Sequence, residues 1–328
     1  MVQISALFGA ALVVASGFLS SAMAQTSPDL GYAPPSAEQG YASPDASARE
    51  TLGVVRLFTN DVLAEREDRW RSAAFSVSAF RGPAWTGALT DQPFQIMEYR
   101  FRGEIISPQH LIRPAPGDRL YAGTLWLGAH THFNWQGFDM VAGADLAITG
   151  EQSGLRSLQA FIHRALSMRR VGIEGYQIAD GTYLHGTVEM SRTLSWGNVE
   201  LRPFGELQVG VETMARAGFD LTWGSLGQGG LRARDPITGQ RVAGITNIAD
   251  EGGWSFLLGG DSAYVDSSVF LPEDRGFQVQ DTRHRLRAGV NFGIGQTNLF
   301  YGVTWLSEEF VGQPEGQFVG SLSLDIRY

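Results

Sequence analysis

The sequence predicts an all-β protein, an antiparallel transmembrane β-barrel of about twelve strands with one inserted helix at the extracellular rim. Three observations predict it. Toward the carboxyl end Phe318, Gly320, Leu322, Leu324, Ile326 and Tyr328 fall on every second position, and Ser321, Ser323, Asp325 and Arg327 lie among the residues between them. Such a strand has one face for lipid and one for a wet lumen, with an aromatic residue at the interface. Near the amino end, Ala6 to Leu19 is apolar and Ala22-Met23-Ala24 precedes Gln25, the pattern of a cleaved export signal over residues 1–24. No later window is apolar long enough for a spanning helix. Only closed sheets then remain able to satisfy backbone groups in lipid.

Residues 25–50 are rich in Pro, Ser, Ala and Gly without periodicity, and read as a disordered periplasmic lead-in. Residues 51–328 read as the barrel. Alternating runs start near residues 51, 70, 93, 121, 137, 181, 199, 216, 253, 276, 297 and 314, an even number, as bacterial barrels require. Clear examples are Phe138 to Ile148, Leu286 to Phe292 and Leu299 to Trp305. Between the fifth and sixth runs, Leu155, Leu158, Phe161, Ile162, Ala165 and Leu166 sit at helical spacing, which predicts a helix within Glu151 to Met168.

With the amino terminus in the periplasm, odd strands run outward. The loop after the first strand and the helix after the fifth then lie outside. The turns at Asn134-Trp135-Gln136 and Trp196-Gly197-Asn198 lie inside. Residues 224–252 fit badly, as a long periplasmic loop where short turns are expected, which leaves strands seven and eight open to a miscount. The 41 glycines and 19 phenylalanines suit turns and aromatic girdles. The absence of Cys excludes thiol chemistry, and a net charge of −9 argues against nucleic acid as a partner.

Two polar clusters meet at the predicted outer rim. One is Thr59-Asn60-Asp61 with Asp68 to Ser72; the other is Glu151-Gln152 with Gln159 and His163 on the helix. Gln159 and His163 are four apart and share a face. A His near a carboxylate is a general-base arrangement, and an Asp with an amide carbonyl can hold a hard cation. Such a set hydrolyses esters without a Ser or Cys nucleophile. The same residues also suit plain structure, since a single helical His and an Asn-Asp turn are common. His130 and His132 read as lumenal fillers, and His110, His185 and His284 show no partner.

Leu57 to Asp61, Asp68 to Ser72, Gly117-Asp118-Arg119-Leu120-Tyr121-Ala122-Gly123, Gly150-Glu151 with Gln159 and His163, and Tyr301 to Trp305 with Ser307-Glu308-Glu309-Phe310 and Gln313 occur in one order. Together they resemble the outer-membrane lipid A 3'-O-deacylase family over Thr51 to Tyr328. The resemblance implies a twelve-stranded barrel whose site faces the outer leaflet between wall and helix. It also implies Ca²⁺-dependent removal of the 3'-linked acyl or acyloxyacyl group of lipid A by water attack. By position, Asn60 and Asp61 match the family's Asn-Asp pair, His163 its helix histidine, and Ser72 a family Thr. Asp61 would be the metal ligand. Arg71 replaces a family Tyr and Leu120 a family Pro. The acid expected soon after the helix His is replaced by Arg169 and Arg170, with Glu174 the first acid. Asp118-Arg119 reads as structural and Glu308-Glu309 as solvated loop charge.

Arg66, Arg69, Arg71, Arg164, Arg169 and Arg170 flank the site. Arg69, Arg71 and Arg164 are candidates for the substrate's phosphates, since Arg binds phosphate bidentately; a basic belt touching lipopolysaccharide is the other reading. The expected partners are lipid A or lipopolysaccharide and the outer membrane, for a monomer. The alternative function is a non-catalytic outer-membrane barrel, a small channel or a structural protein. A phospholipase would need a Ser beside a His, and no such pair stands at suitable spacing.

Overall fold

The computed structural model describes residues 49–165, 167, 172–173, 175–245, 252–295 and 297–326. The expected signal segment, nearly all of the lead-in, Arg169, Arg170 and Glu174 lie outside them. The described chain forms β1 (Glu50–Asn60), β2 (Trp70–Gly82), β3 (Ile96–Ser107), β4 (Ala122–Trp135), β5 (Phe138–Thr149), α1 (Leu155–Ala165), β6 (Gly181–Ser191), β7 (Leu194–Trp196), β8 (Val199–Val209) and β9 (Glu212–Gly224). It continues with β10 (Leu231–Arg234), β11 (Arg241–Ile245), β12 (Gly252–Ser268), β13 (Thr282–Ile294), β14 (Thr297–Leu306) and β15 (Gln317–Ile326).

Twelve of these strands pair in one antiparallel ring, in the order β6-β5-β4-β3-β2-β1-β15-β14-β13-β12-β9-β8, which β6 and β8 close. Closure leaves no strand edge facing lipid. The short β7 adds to β8 at one rim. The predicted count therefore holds, with most starts within a few residues. The largest shift is at β13, expected near 276 and found at Thr282, because a 3₁₀ turn at Glu273–Arg275 and the apolar Phe277 belong to the rim.

Period two sorts the side chains. Leu286, Phe292, Leu299, Tyr301, Phe318 and Leu324 face outward and are exposed, as a lipid-facing surface requires. Trp223, Trp254 and Phe256 cluster edge-to-face and stacked, 5.1 to 6.1 Å apart. With exposed Trp135 and Trp196 they form an aromatic girdle at the end opposite α1.

The inward face is charged, and around Asp261 and Asp220 the charges are matched. Asp261 receives Arg285 at 2.9 Å and Arg216 at 3.2 Å, and also meets Arg287. Asp220 receives Arg287 at 2.5 Å and Arg234 at 2.7 Å.

Residues 224–252 are not a miscounted strand pair. Residues 246–251 lie outside the described residues, and residues 225–245 leave β9 at the end opposite α1 and turn back into the lumen as the hairpin β10–β11. Its apolar side joins Val55, Leu57, Phe80 and Phe300 of the wall. At its tip Gln240 donates to the carbonyls of Ala288 (3.1 Å) and Val303 (3.2 Å). Arg285 donates to the carbonyls of Pro236 (2.7 Å) and Ile237 (3.0 Å). A glycine is needed at 244, where a Cβ would stand 2.4 Å from the Phe80 ring.

Candidate active site at the helix rim

At the end of β1 the chain enters a 3₁₀ turn, Asp61–Leu63, capped by Asn60, whose Oδ1 accepts the Val62 amide at 2.8 Å. Asp61 is fully buried, and its Oδ2 accepts the Arg69 amide at 2.7 Å, pinning the two ends of the loop together. Its Oδ1 is buried with no hydrogen-bond partner among the described residues. Burial pushes this carboxyl well above the usual carboxylate range, and the charges of Asp68 and Glu65 push the same way, against the Arg69 amide. Two non-glycine residues of this connection, Arg66 and Trp70, have φ of 64° and 48°. Left-handed backbone of this kind is held only by its surroundings and clusters at functional sites.

Helix α1 leans on the outer face of β3 and β4. A second 3₁₀ turn, Glu151–Ser153, precedes it, and the Ser153 hydroxyl donates to the Gly150 carbonyl at 2.7 Å. Leu155, Gln159 and His163, four apart, form its buried face, while Phe161 is 61% exposed on the other side. Gly123 of β4 permits the approach, since a Cβ there would lie 2.8 Å from Ser153 Oγ and 3.0 Å from Leu155 Cβ.

The helix brings His163 Nε2 to 3.6 Å from Asp68 Oδ2. Gln159 Oε1 and the Tyr121 hydroxyl are buried beside this face without hydrogen-bond partners among the described residues. Burial, then the Asp68 charge, raises the Tyr121 phenol, so it stays protonated. Asp68, Asp61, His163 and Tyr121 thus share one crevice between wall and helix. Sequence reasoning placed Asp68 in a motif but gave it no role. The carboxylate beside His163 comes from 95 positions upstream, a pairing no local spacing announces.

The other predicted residues divide. Ser72 sits where the β2–β3 register shifts, and its hydroxyl bonds that of Ser107 at 2.5 Å. Arg164 is exposed on the helix. Arg69 is buried, pairs with Glu65 (3.1 Å) and Glu315 (2.7 Å), and covers the Trp70 ring at 4.3 Å. Arg71 is corrected: it turns into the lumen to Glu309 (2.7 Å), Glu104 and Glu212 (3.6 Å), so it does not face a phosphate outside the wall. Glu309 is likewise no solvated charge, since it is buried between Arg71 and Arg119. The structural reading of Asp118 holds, because its carboxylate accepts the amides of Gln109 (2.6 Å) and Arg119 (2.8 Å). His130 and His132 fill the lumen, at 3.0 Å from Asp145 and 2.9 Å from Glu98.

Among the described residues no three His, Asp or Glu side chains gather as a metal cage. Asp61 Oδ1 is the buried carboxylate oxygen at this rim that a cation would relieve. The residues therefore fit a cation with a single side-chain anchor, and a hard one, given oxygen as the donor.

A family model described as outer membrane protein LpxR matches residues 7–328. No curated protein matches the chain. Among solved structures, LpxR from Salmonella typhimurium is similar at 15% identity, over 84% of this chain and 100% of that one, with a TM-score of 0.68. The β domain of the Bordetella autotransporter Brka shares 13% identity over 87% of this chain and 100% of that one, with a TM-score of 0.42. The likeness to the Salmonella protein is one of fold.

Proposed function

Because the chain belongs to the outer membrane protein LpxR family, we propose that it is an outer-membrane lipid A 3'-O-deacylase working in the crevice between α1 and the wall. The observation that carries the reading is His163 held against Asp68 beside the buried Asp61. We assign the His163 proton to Nε2, the nitrogen that faces Asp68 at 3.6 Å, which puts the lone pair on Nδ1. In that tautomer the imidazole takes a proton from water. The water oxygen attacks the ester carbonyl carbon, and the resulting tetrahedral centre expels the sugar 3'-oxygen. That oxygen takes the proton back from His163 and leaves as the alcohol. The acyl or acyloxyacyl chain leaves as the acid.

Asp61 would hold a cation such as Ca²⁺. When bound, the cation would polarise the ester carbonyl and offset its developing charge. Asn60 sets the turn that aims Asp61. The protonated Tyr121 borders the crevice beside Asp68, and the Ser72–Ser107 hydroxyl pair ties the start of β2 to the end of β3. Of the phosphate candidates, Arg164 is the one turned to solvent, and Arg69 stands at the loop. The helix rim would face the outer leaflet, where lipid A lies, and a monomer suffices because one chain supplies every residue named. The hairpin in the lumen speaks against an open channel.

The test is mass spectrometry of lipid A from cells expressing the parent chain or His163→Ala. Loss of one 3'-linked acyl or acyloxyacyl unit with the parent alone supports the reading. Unchanged lipid A beside a properly inserted parent barrel refutes it.

A further inference from the structure

We propose a second site, in the lumen at the end opposite α1, that binds a small phosphate-bearing anion. A cavity of about 470 Å³ lies there between β3, β4, β5, β6, β8 and the β10–β11 hairpin. Five of the six carboxylates on its wall are matched, Asp145 by His130 at 3.0 Å, and the sixth, Asp139, accepts the Thr193 hydroxyl at 3.4 Å. Glu98 meets Arg100 at 2.9 Å, Glu189 meets Arg234 at 2.5 Å, Glu206 meets Arg216 at 2.8 Å and Glu200 meets Arg232 at 3.0 Å. Guanidinium N–H groups are left over.

Arg202 is 5% exposed and gives one nitrogen to Glu189 at 2.8 Å. Its Nε and Nη1 make no hydrogen bond among the described residues, though Nη1 lies 3.9 Å from Asp220. Arg102, buried over the Trp126 ring at 4.2 Å, also has an unpartnered Nε. Arg241, half-buried on the hairpin, forms no side-chain ion pair among the described residues; the charges of Arg202, Arg232 and Arg234 bear on it, opposed by that of Asp220. A buried donor left unmade is costly. Several guanidinium donors converging on one enclosed space want an acceptor with several oxygens and negative charge, and a phosphate group matches the fork geometry of Arg. The cavity has the size of a small-molecule site rather than of one ion. It lies inside the barrel at the end opposite α1, whereas the helix crevice lies on the outer face of β3 and β4, so its ligand is not the lipid ester.

The experiment uses the full chain folded in detergent, titrated by calorimetry with inorganic phosphate and with glycerol 3-phosphate. Ionic strength is held constant, and sodium chloride is the blank. Saturable binding that weakens about tenfold or more in Arg241→Gln supports the site, since that substitution removes a charge-assisted contact. Tighter binding of the ester assigns the site to a phosphorylated metabolite and parity assigns it to free phosphate; either supports it. Thr187→Glu, which places a carboxylate on the cavity wall, must also abolish binding, and decides the matter if Arg241→Gln fails to fold. No saturable binding of either probe, or parent affinity in the folded variants, overturns the proposal. The readout does not depend on deacylation.

Discussion

Replacing Gly123 by Ala is expected to cripple the enzyme while leaving the barrel closed. The new Cβ would sit 2.8 Å from Ser153 Oγ and 3.0 Å from Leu155 Cβ, where ordinary contact begins at 3.4 Å and extends to 4 Å. Ser153 cannot simply rotate away, since its hydroxyl is bound to the Gly150 carbonyl at 2.7 Å. The Cβ of Leu155 is not a flexible tip. The start of α1 must therefore move off β4 by ~0.4–1 Å, at a cost of roughly 1–3 kcal/mol for overpacking. His163 rides on the same helix, and its 3.6 Å reach to Asp68 is already at the edge of ion-pair range. A misplacement of about 1 Å costs up to ~100-fold in rate. Gly103→Ala is the control, because its Cβ meets Leu125 and Leu155 of the same packing at 3.7 to 3.9 Å, an ordinary distance. The assay is deacylation of lipid A followed by mass spectrometry, with heat-modifiable gel mobility to confirm the folded barrel. Full activity in Gly123→Ala, or equal losses in both variants, would refute the argument that helix seating positions His163.

Asp68→Asn should lower kcat about 10–100-fold with little change in KM, since it removes the charge that orients His163 without touching the acyl chain; an unchanged kcat removes Asp68 from the mechanism. Chelation of divalent cations is expected to stop turnover, with Asp61→Ala raising the Ca²⁺ concentration needed for half-maximal rate; indifference to chelator excludes the cation. Replacing residues 231–245 by a short Gly-Ser linker should convert a silent barrel into a conducting one in planar bilayers. If conductance stays at the parent level, the hairpin is not what fills the lumen.

The outer face was the legible part. Lipid tolerates only apolar side chains, so Leu286, Ala288, Val290 and Phe292, or Leu299, Tyr301, Val303 and Trp305, announce their strands by period two. Inner positions carry no such constraint. A lumen residue can face water, a partner strand or a plug, and is polar in each case. That is why β10, four residues long, gave no signal and why the 224–252 segment looked misplaced. Arg71 and Glu309 show the same limit, since reading each as solvated or exposed was reasonable until the fold set them 2.7 Å apart inside the wall. At the site, Asn60, Asp61 and His163 stood out because cap geometry and helical spacing are local. Asp68 needed the fold, because its partner His163 comes from helix α1, 95 positions away. Gly123 needed it too, because only the seated helix reveals what a side chain there would strike.

The lumenal ion lattice around Asp220 and Asp261 has a consequence for solvent chemistry. Lipid is as apolar as the leucines it touches, so the outer face gives the strands little reason to prefer one another over the membrane. The closed backbone ladder and the matched charges within must then carry most of the discrimination between the native barrel and other arrangements. A denaturant that is itself a guanidinium salt offers those carboxylates a substitute for Arg216, Arg285 and Arg287, and its ions also screen the pairs. Urea does neither. For this protein the two denaturants are distinct reagents: one dissolves a surface, the other competes for a ligand.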